Sequence, residues 1–210
     1  SPDSLQQVAR LRDDRAFRDK LWSAHKENKA QLVELLRPWG VRDDVFTIAW
    51  ARRAAPYKRP SLILQGTDRL VELAKKHGGV QILFAGKAHP ADRPGQGVIQ
   101  DIFGRSRSAK LRGRVFILED YDIRIARFLV QGVDVWLNNP RRPLEASGTS
   151  GMKAAANGVL NMSVLDGWWD EGWTGDNGWA IGSRETNPDE GAQDWADAQD
   201  LYRILEQELI

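Results

Sequence analysis

The 210-residue chain has no cysteine, two methionines and three histidines, and none of its apolar runs approaches the ~20 residues that a membrane-spanning helix needs. Without cysteine there is no disulfide framework, thiolate metal site or cysteine nucleophile, and no positive sign of an oxidising compartment. The cytoplasm is therefore the expected location. No signal peptide is visible, and no set of His, Asp and Glu has metal-ligand spacing, so neither a membrane nor a metal is expected as a partner. What is abundant is ordinary: 41% hydrophobic and 28% charged residues suit one or two globular domains and exclude wholesale disorder. Lys and Arg total 30 against 29 Asp and Glu, but residues 161–210 hold 2 basic and 12 acidic side chains. A basic body with an acidic end suits small anions rather than nucleic acid, which needs a sustained positive surface.

From Ser4 to Leu36, Leu5, Val8, Leu11, Phe17, Leu21, Leu32, Leu35 and Leu36 recur at near-helical spacing, which predicts a helical lead-in over 1–40 ended by Pro38 and Gly40. Over 41–210 the texture changes. Apolar runs at Val45–Trp50, Val80–Ala85, Val115–Leu118, Val133–Leu137 and Gly158–Ser163 alternate with helical periodicity at Ser61–Lys76, Gly97–Arg105, Ile123–Gln131 and Gly151–Asn157. Alternating strands and helices, with runs apolar on both faces, predict an α/β domain whose parallel sheet is covered on both sides. After Asp166 a long loop is expected, then a short strand near Trp179–Ile181, an exposed loop over Ser183–Asp194 and a helix over Trp195–Ile210. A chain that begins without Met and stops inside a helical pattern reads as a piece of a longer protein.

Ligands of open parallel sheets gather at the carboxyl ends of strands, so the loops after the apolar runs carry the candidates. Arg52-Arg53-Ala54-Ala55-Pro56-Tyr57-Lys58-Arg59 places four cations beside one aromatic, either a solvated basic loop or an anion clamp. Gly86-Lys87-Ala88-His89-Pro90 is a tight turn whose His89 is structural, exposed or catalytic. Glu119-Asp120-Tyr121-Asp122 has acids suited to capping the next helix, and a Tyr121 that is core or ligand wall. In Glu145-Ala146-Ser147-Gly148-Thr149-Ser150-Gly151-Met152-Lys153 the small residues permit close backbone approach, and the helix that follows aims its free amides at an anion. The composition is that of a phosphate cradle, without Walker A or G-x-G-x-x-G spacing. Lys153 is a solvated helix lysine or, partly buried, a Schiff-base amine. The tryptophans of Asp166–Trp173 and Trp179 are core, interface or sugar platform.

Together these loops resemble the α-glucan phosphorylases, the family of the glycogen, starch and maltodextrin enzymes. Residues 145–153, with Asn157-Gly158, resemble the family's pyridoxal-phosphate lysine motif E-A-S-G-T-x-x-M-K. Arg52–Arg59, Gly86–Ala88, Leu118–Tyr121 and Asp166-Gly167 follow the family order. The resemblance implies the second, Rossmann-like domain of a two-domain glycosyltransferase-B fold, with the first domain lying elsewhere in the same protein. It implies pyridoxal 5′-phosphate held by Lys153 as an internal aldimine, with Thr149, Ser150 and Arg52 on its phosphate and Tyr121 beside its ring. Arg53 and Lys58 would hold the substrate phosphate, Tyr57 would touch the sugar, and Glu145, Ala146, Ser147 and Gly148 would hydrogen-bond the glucose hydroxyls. Lys153, Arg53 and Lys58 form the implied catalytic set. The implied reaction moves a terminal glucosyl unit from an α-1,4-glucan or maltodextrin to inorganic phosphate, giving glucose 1-phosphate with retention, in a homodimeric parent whose isolated fragment is inactive.

There are departures from the family pattern. Ala55 and Pro56 replace the His and Glu of the animal-type loop, Asp122 stands where an Arg is frequent, and the tryptophan-rich segment is similar to the bacterial and archaeal branch. Two alternatives are a sugar-nucleotide-dependent retaining glycosyltransferase resembling glycogen synthase, and a non-catalytic cofactor- or glucan-binding domain. The first often carries Glu-x7-Glu at its donor site; here Glu145 is followed eight residues later by Lys153, which favours the phosphorylase.

Overall fold

Six strands, β1 (Phe46–Ala51), β2 (Val80–Ala85), β3 (Val115–Leu118), β4 (Val135–Asn138), β5 (Leu160–Val164) and β6 (Gly178–Ile181), form one sheet in this computed structural model, which describes residue 11 and residues 13–209. Every pairing is parallel and the order is β3-β2-β1-β4-β5-β6. The helices are α1 (Arg15–Leu36), α2 (Thr67–Lys76), α3 (Arg93–Ser106), α4 (Ile123–Gly132), α5 (Thr149–Ala156), α6 (Trp168–Gly172) and α7 (Glu190–Ile204). The architecture is the expected α/β one, a Rossmann-like parallel sheet with helices on both faces. None of the described helices is long and apolar enough to cross a membrane.

Strand periodicity divides the core in two. Ile48, Trp50, Ile82, Phe84, Val135 and Leu137 point into one cluster, which Leu70 and Leu73 of α2, Ile102 of α3 and Leu201 and Tyr202 of α7 complete. The residues between them, Ala49, Ala51, Leu83, Ala85 and Trp136, face the other way onto Leu32 and Leu36 of α1, Ile125 and Leu129 of α4 and Ala154 of α5. At the amino ends of the strands Asp134 ties α1 down: it accepts from Lys29 Nζ at 2.6 Å, His25 Nε2 at 2.9 Å and the Thr47 amide at 2.7 Å.

Several boundaries differ from the sequence expectation, each for a local reason. Ser61–Lys76 is not one helix, because buried Leu62–Leu64 lie in a 3-10 stretch and α2 starts only after Gly66. The third helix begins at Arg93, before Gly97: Asp92 accepts from the Gly95 amide at 2.9 Å and Pro94 suits the first turn. The fourth and fifth strands start two residues later than their apolar runs, since Val133 caps α4 and Gly158 follows the end of α5. Trp168–Gly172 is a short helix inside the expected long loop. The expected exposed loop over Ser183–Asp194 is cut short, because Asp189 caps α7 by accepting from the Ala192 amide at 3.0 Å, and a wider turn over Leu205–Leu209 continues that helix. Leu5, Val8 and Ile210 lie outside the described residues.

Burial alone pushes the Asp134 carboxyl up, but hydrogen bonds from His25 and Lys29 outweigh it and hold the group below its ordinary value. A depressed carboxylate stabilises the fold above its unfolded pKa and loses that contribution as pH falls through the folded one. Asp134→Asn should cost about 3 kcal/mol at pH 7, since Lys29 is left buried without its counterion. In urea unfolding, the gap between wild type and variant should narrow as the pH is lowered below about 4. A gap that does not vary with pH would count against this role for Asp134.

Candidate active site

β1 and β4 are neighbours in the sheet, but the chain leaves β1 toward β2 and β4 toward β5, on opposite sides. Only Ile48–Val135 and Ala49–Trp136 stand in register between them, and the loops that follow both strands lie beyond that pairing at the carboxyl ends, where ligands of open parallel sheets gather. Residues 52–59, and residues 139–148 ahead of α5, form those loops.

The first loop is pinned to β2 by the Arg52 amide on Ala85 O at 3.0 Å and the Ala54 amide on Lys87 O at 3.2 Å. It then closes in a single 3-10 turn over Pro56–Lys58. Its four cations separate. Arg53 is exposed, Arg59 turns into the protein, and Arg52 and Lys58 converge on one carboxylate. Lys58 Nζ donates to Glu145 Oε2 at 2.8 Å, and Arg52 Nη1 lies 3.2 Å from the same oxygen, out of line for a hydrogen bond. The three side chains are 10%, 6% and 10% exposed for Lys58, Arg52 and Glu145. Two cations against one carboxylate leave a net positive charge in a site largely closed to water. Burial lowers the Arg52 pKa against the opposing pull of Glu145, and its Nε and Nη1 have no hydrogen-bond partner. A buried guanidinium with unused donors is suited to an anion.

The second loop presents Glu145 because Asp166, at the end of β5, holds the loop backbone: its Oδ2 accepts from the Glu145 amide at 2.8 Å. Burial raises the Asp166 carboxyl above its ordinary value, with hydrogen bonds from the Glu145 and Gly167 amides opposing. Gly148, at φ +81°, opens α5, and no side chain caps the helix; the Gly151 amide donates to Gly148 O at 3.1 Å, which leaves the Thr149 and Ser150 amides available to a ligand. A Cβ on Gly148 would stand 3.9 Å from Arg52 Nη2, which sets the start of α5 beside the Arg52 guanidinium.

Thr149 is exposed and Ser150 half-buried at that helix start. Lys153, about one turn further on, is exposed, since Gly151 and Ala154 take the inward face of α5. Tyr57 is half-buried with the Lys58 ammonium 4.9 Å from its ring centre. Tyr121 is half-buried against the α1 and α4 side of the core, and burial raises its hydroxyl pKa. Ala146 is exposed, and the Ser147 carbonyl accepts from the Trp168 amide at 2.8 Å. The structure thus gathers Arg52, Lys58, Glu145 and the start of α5, and leaves Arg53 and Lys153 facing outward. His89 is exposed and spends Nδ1 on the Ala91 amide at 3.1 Å, while Asp122 caps α4.

Asp166 and Trp168 have local duties that their residue types alone did not disclose. Asp166 follows an apolar run as the other candidates do, which was the available signal. Trp168 wedges against α5: a Cβ on Gly151 would lie 2.8 Å from its Nε1 and 2.7 Å from both Asn138 Nδ2 and Asn161 Oδ1. Asn138, Asn161 and Trp168 each keep a buried polar atom without a partner around this point. Gly151→Ala should therefore force the packing under α5 apart and cost about 1–3 kcal/mol in urea unfolding. Unchanged stability would show that the helix does not need so close a contact.

The chain matches the carbohydrate phosphorylase family over residues 1–171. A glycogen phosphorylase from Aquifex aeolicus is 46% identical over an alignment covering 91% of this chain and 30% of the relative. A maltodextrin phosphorylase from Thermococcus litoralis is 43% identical, covering 91% of this chain and 25% of that protein. A glycogen phosphorylase from Mycobacterium tuberculosis is 47% identical over 78% of this chain and 19% of its own length. The chain thus spans less than a third of the length of these relatives. On these grounds it belongs to the carbohydrate phosphorylase family.

Proposed function

We propose that this chain is the phosphate- and cofactor-binding domain, residues 41–210 with 1–40 as helical lead-in, of an α-1,4-glucan phosphorylase. That enzyme would transfer a terminal glucosyl unit from glycogen or a maltodextrin to inorganic phosphate, releasing glucose 1-phosphate with retention. The observation that carries the proposal is the buried clamp of Arg52 and Lys58 on Glu145, set beside the uncapped start of α5. We take the parent to be a cytoplasmic homodimer whose other domain faces these two loops and covers Lys153 and Arg53.

Pyridoxal 5′-phosphate fits the residues present. The unused donors of Arg52 and the open amides at Thr149 and Ser150 suit its phosphate, and Lys153 on the same helix supplies the amine. When bound, this group supplies a second phosphate that exchanges a proton with the substrate phosphate. Two phosphates repel each other, so they stay together only where fixed cations and helix amides outweigh the repulsion. In this reading Lys58 and Arg53 hold the substrate phosphate, and Glu145, released from Lys58, turns with the backbone of Ala146, Ser147 and Gly148 to the glucose hydroxyls. Tyr57 flanks the sugar and Tyr121 the cofactor ring. Once Lys58 and Arg52 face phosphate, their net positive charge also favours phosphate over water as the acceptor.

Borohydride reduction of the full-length protein after incubation with pyridoxal phosphate, followed by peptide mapping, should place the label on Lys153. Lys153→Ala should abolish it with the fold intact, and labelling of other lysines alone would refute the cofactor assignment. In phosphorolysis of maltodextrin, Lys58→Ala should lower kcat/KM for phosphate about 100-fold or more. The 210-residue chain by itself should release no glucose 1-phosphate. Use of a sugar nucleotide as donor, with no phosphorolysis, would instead establish the nucleotide-dependent transferase.

A further inference from the structure

Arg59 was one of four cations in the first loop, yet the structure keeps it out of the clamp. Its side chain is 3% exposed and each of its nitrogens is engaged. Nε donates to Asn139 O at 3.0 Å and Nη2 to Pro140 O at 2.7 Å, both in the second loop. Nη1 donates to Asp194 at 2.8 Å and Nη2 to Asp197 at 2.6 Å, both on α7. The contact is reciprocal, because Asn139 Nδ2 donates to the Arg59 carbonyl at 2.6 Å and Asn139 Oδ1 accepts from Trp50 Nε1 at 3.1 Å. The Arg59 backbone stands at φ +46°, an unfavourable region for a non-glycine residue that persists where surrounding contacts over-determine it.

A second strut runs alongside. The Arg141 amide donates to Tyr57 O at 2.7 Å, and the Arg141 guanidinium pairs with Asp194 and Glu190, each at 2.7 Å. Asp194 therefore serves both arginines. Sheet pairing between β1 and β4 ends at Ala49–Trp136, before either loop begins. Beyond that point Arg59 joins the turn carrying Lys58 to the segment leading to Glu145. Lys58 is the residue next to Arg59 in the chain, so a shift of the Arg59 anchor moves Lys58 directly.

We infer that Arg59, held by Asp194 and Asp197 of the acidic helix α7, is the positioning residue that sets Lys58 and Glu145 at the spacing phosphate binding requires. This rests on the phosphorylase reading of the clamp. The acidic carboxyl-terminal stretch then acts on catalysis from outside the site: it supplies the carboxylates that keep a buried guanidinium spanning two loops. Such fine placement matters because a displacement of about 1 Å at a reacting group can cost on the order of 100-fold in rate.

The test uses the full-length holoprotein with Arg59→Met, Arg59→Lys, Asp197→Asn and, as controls, Lys58→Ala and Leu201→Ala, the last a core residue of α7. Phosphate binding by calorimetry and kcat/KM for phosphate are measured together with Tm. Arg59→Met should weaken both readouts about 100-fold. Arg59→Lys keeps the charge but cannot span both carbonyls and both carboxylates, and should recover only part of the loss; Asp197→Asn should fall between wild type and Arg59→Met. Leu201→Ala should lower Tm without a matching loss of phosphate affinity. If Lys58→Ala weakens phosphate binding while the Arg59 and Asp197 variants do not, the positioning role is overturned and the clamp stands. Full recovery in Arg59→Lys, or an equal loss in Leu201→Ala, would overturn it as well. If Lys58→Ala also leaves binding unchanged, the phosphate clamp itself falls, and this inference with it.

Discussion

Arg52, Lys58 and Arg59 bring three positive charges from the end of one strand into a region nearly closed to water, and the surrounding loops are arranged to answer them. Removing a cation from water is costly unless carboxylates and hydrogen-bond acceptors meet it. Two answers are given. Arg59 is matched in full, by two carboxylates and two carbonyls, and becomes structure. Arg52 and Lys58 share one carboxylate between them, and Arg52 retains unused donors. The difference between complete and incomplete compensation separates the fully matched part of the loop from the part that keeps unused donors.

The sheet makes this division feasible because its two faces are closed by different packing. Ile48, Trp50, Ile82 and Phe84 interlock with α2, α3 and α7, while the smaller Ala49, Ala51 and Ala85 admit α1, α4 and α5. With both faces filled, the carboxyl ends of the strands are where the loops can open. The change in the direction of strand order at β1 and β4 selects which of those ends carry the two candidate loops. At the opposite ends of the strands Asp134 gathers His25, Lys29 and the Thr47 amide, a second use of the same pairing of charge and burial.

Much of this was legible in the residues. The five apolar runs located β1 to β5 to within about two residues, because a strand covered on both faces is largely apolar, and β6 stands within one residue of the short strand expected at Trp179–Ile181. The helix starts were less legible: Asp92 and Asp189 cap by side-chain acceptance, and their positions inside polar stretches concealed them. The E-A-S-G-T motif pointed to the start of α5, and the basic loop to its partner. What local pattern could not disclose was how the four cations divide. Arg52, Arg53, Lys58 and Arg59 are chemically alike along the chain, and their fates follow from partners 80 to 138 residues away. The outward face of Lys153 was likewise undecided until Gly151 and Ala154 were seen to pack inward.

By itself the sequence determined the class of the fold, the family, and the two loops that carry the candidate residues, because apolar periodicity and short motifs are local properties that survive being read in one dimension. Tertiary structure decided which cations share a carboxylate and which one spans two loops, how carboxylates of α7 reach the basic loop, and how Asp166 and Trp168 pack around the start of α5. Those choices depend on through-space compensation of buried charge, and that energy exists only once distant carboxylates and carbonyls have been brought within hydrogen-bond distance.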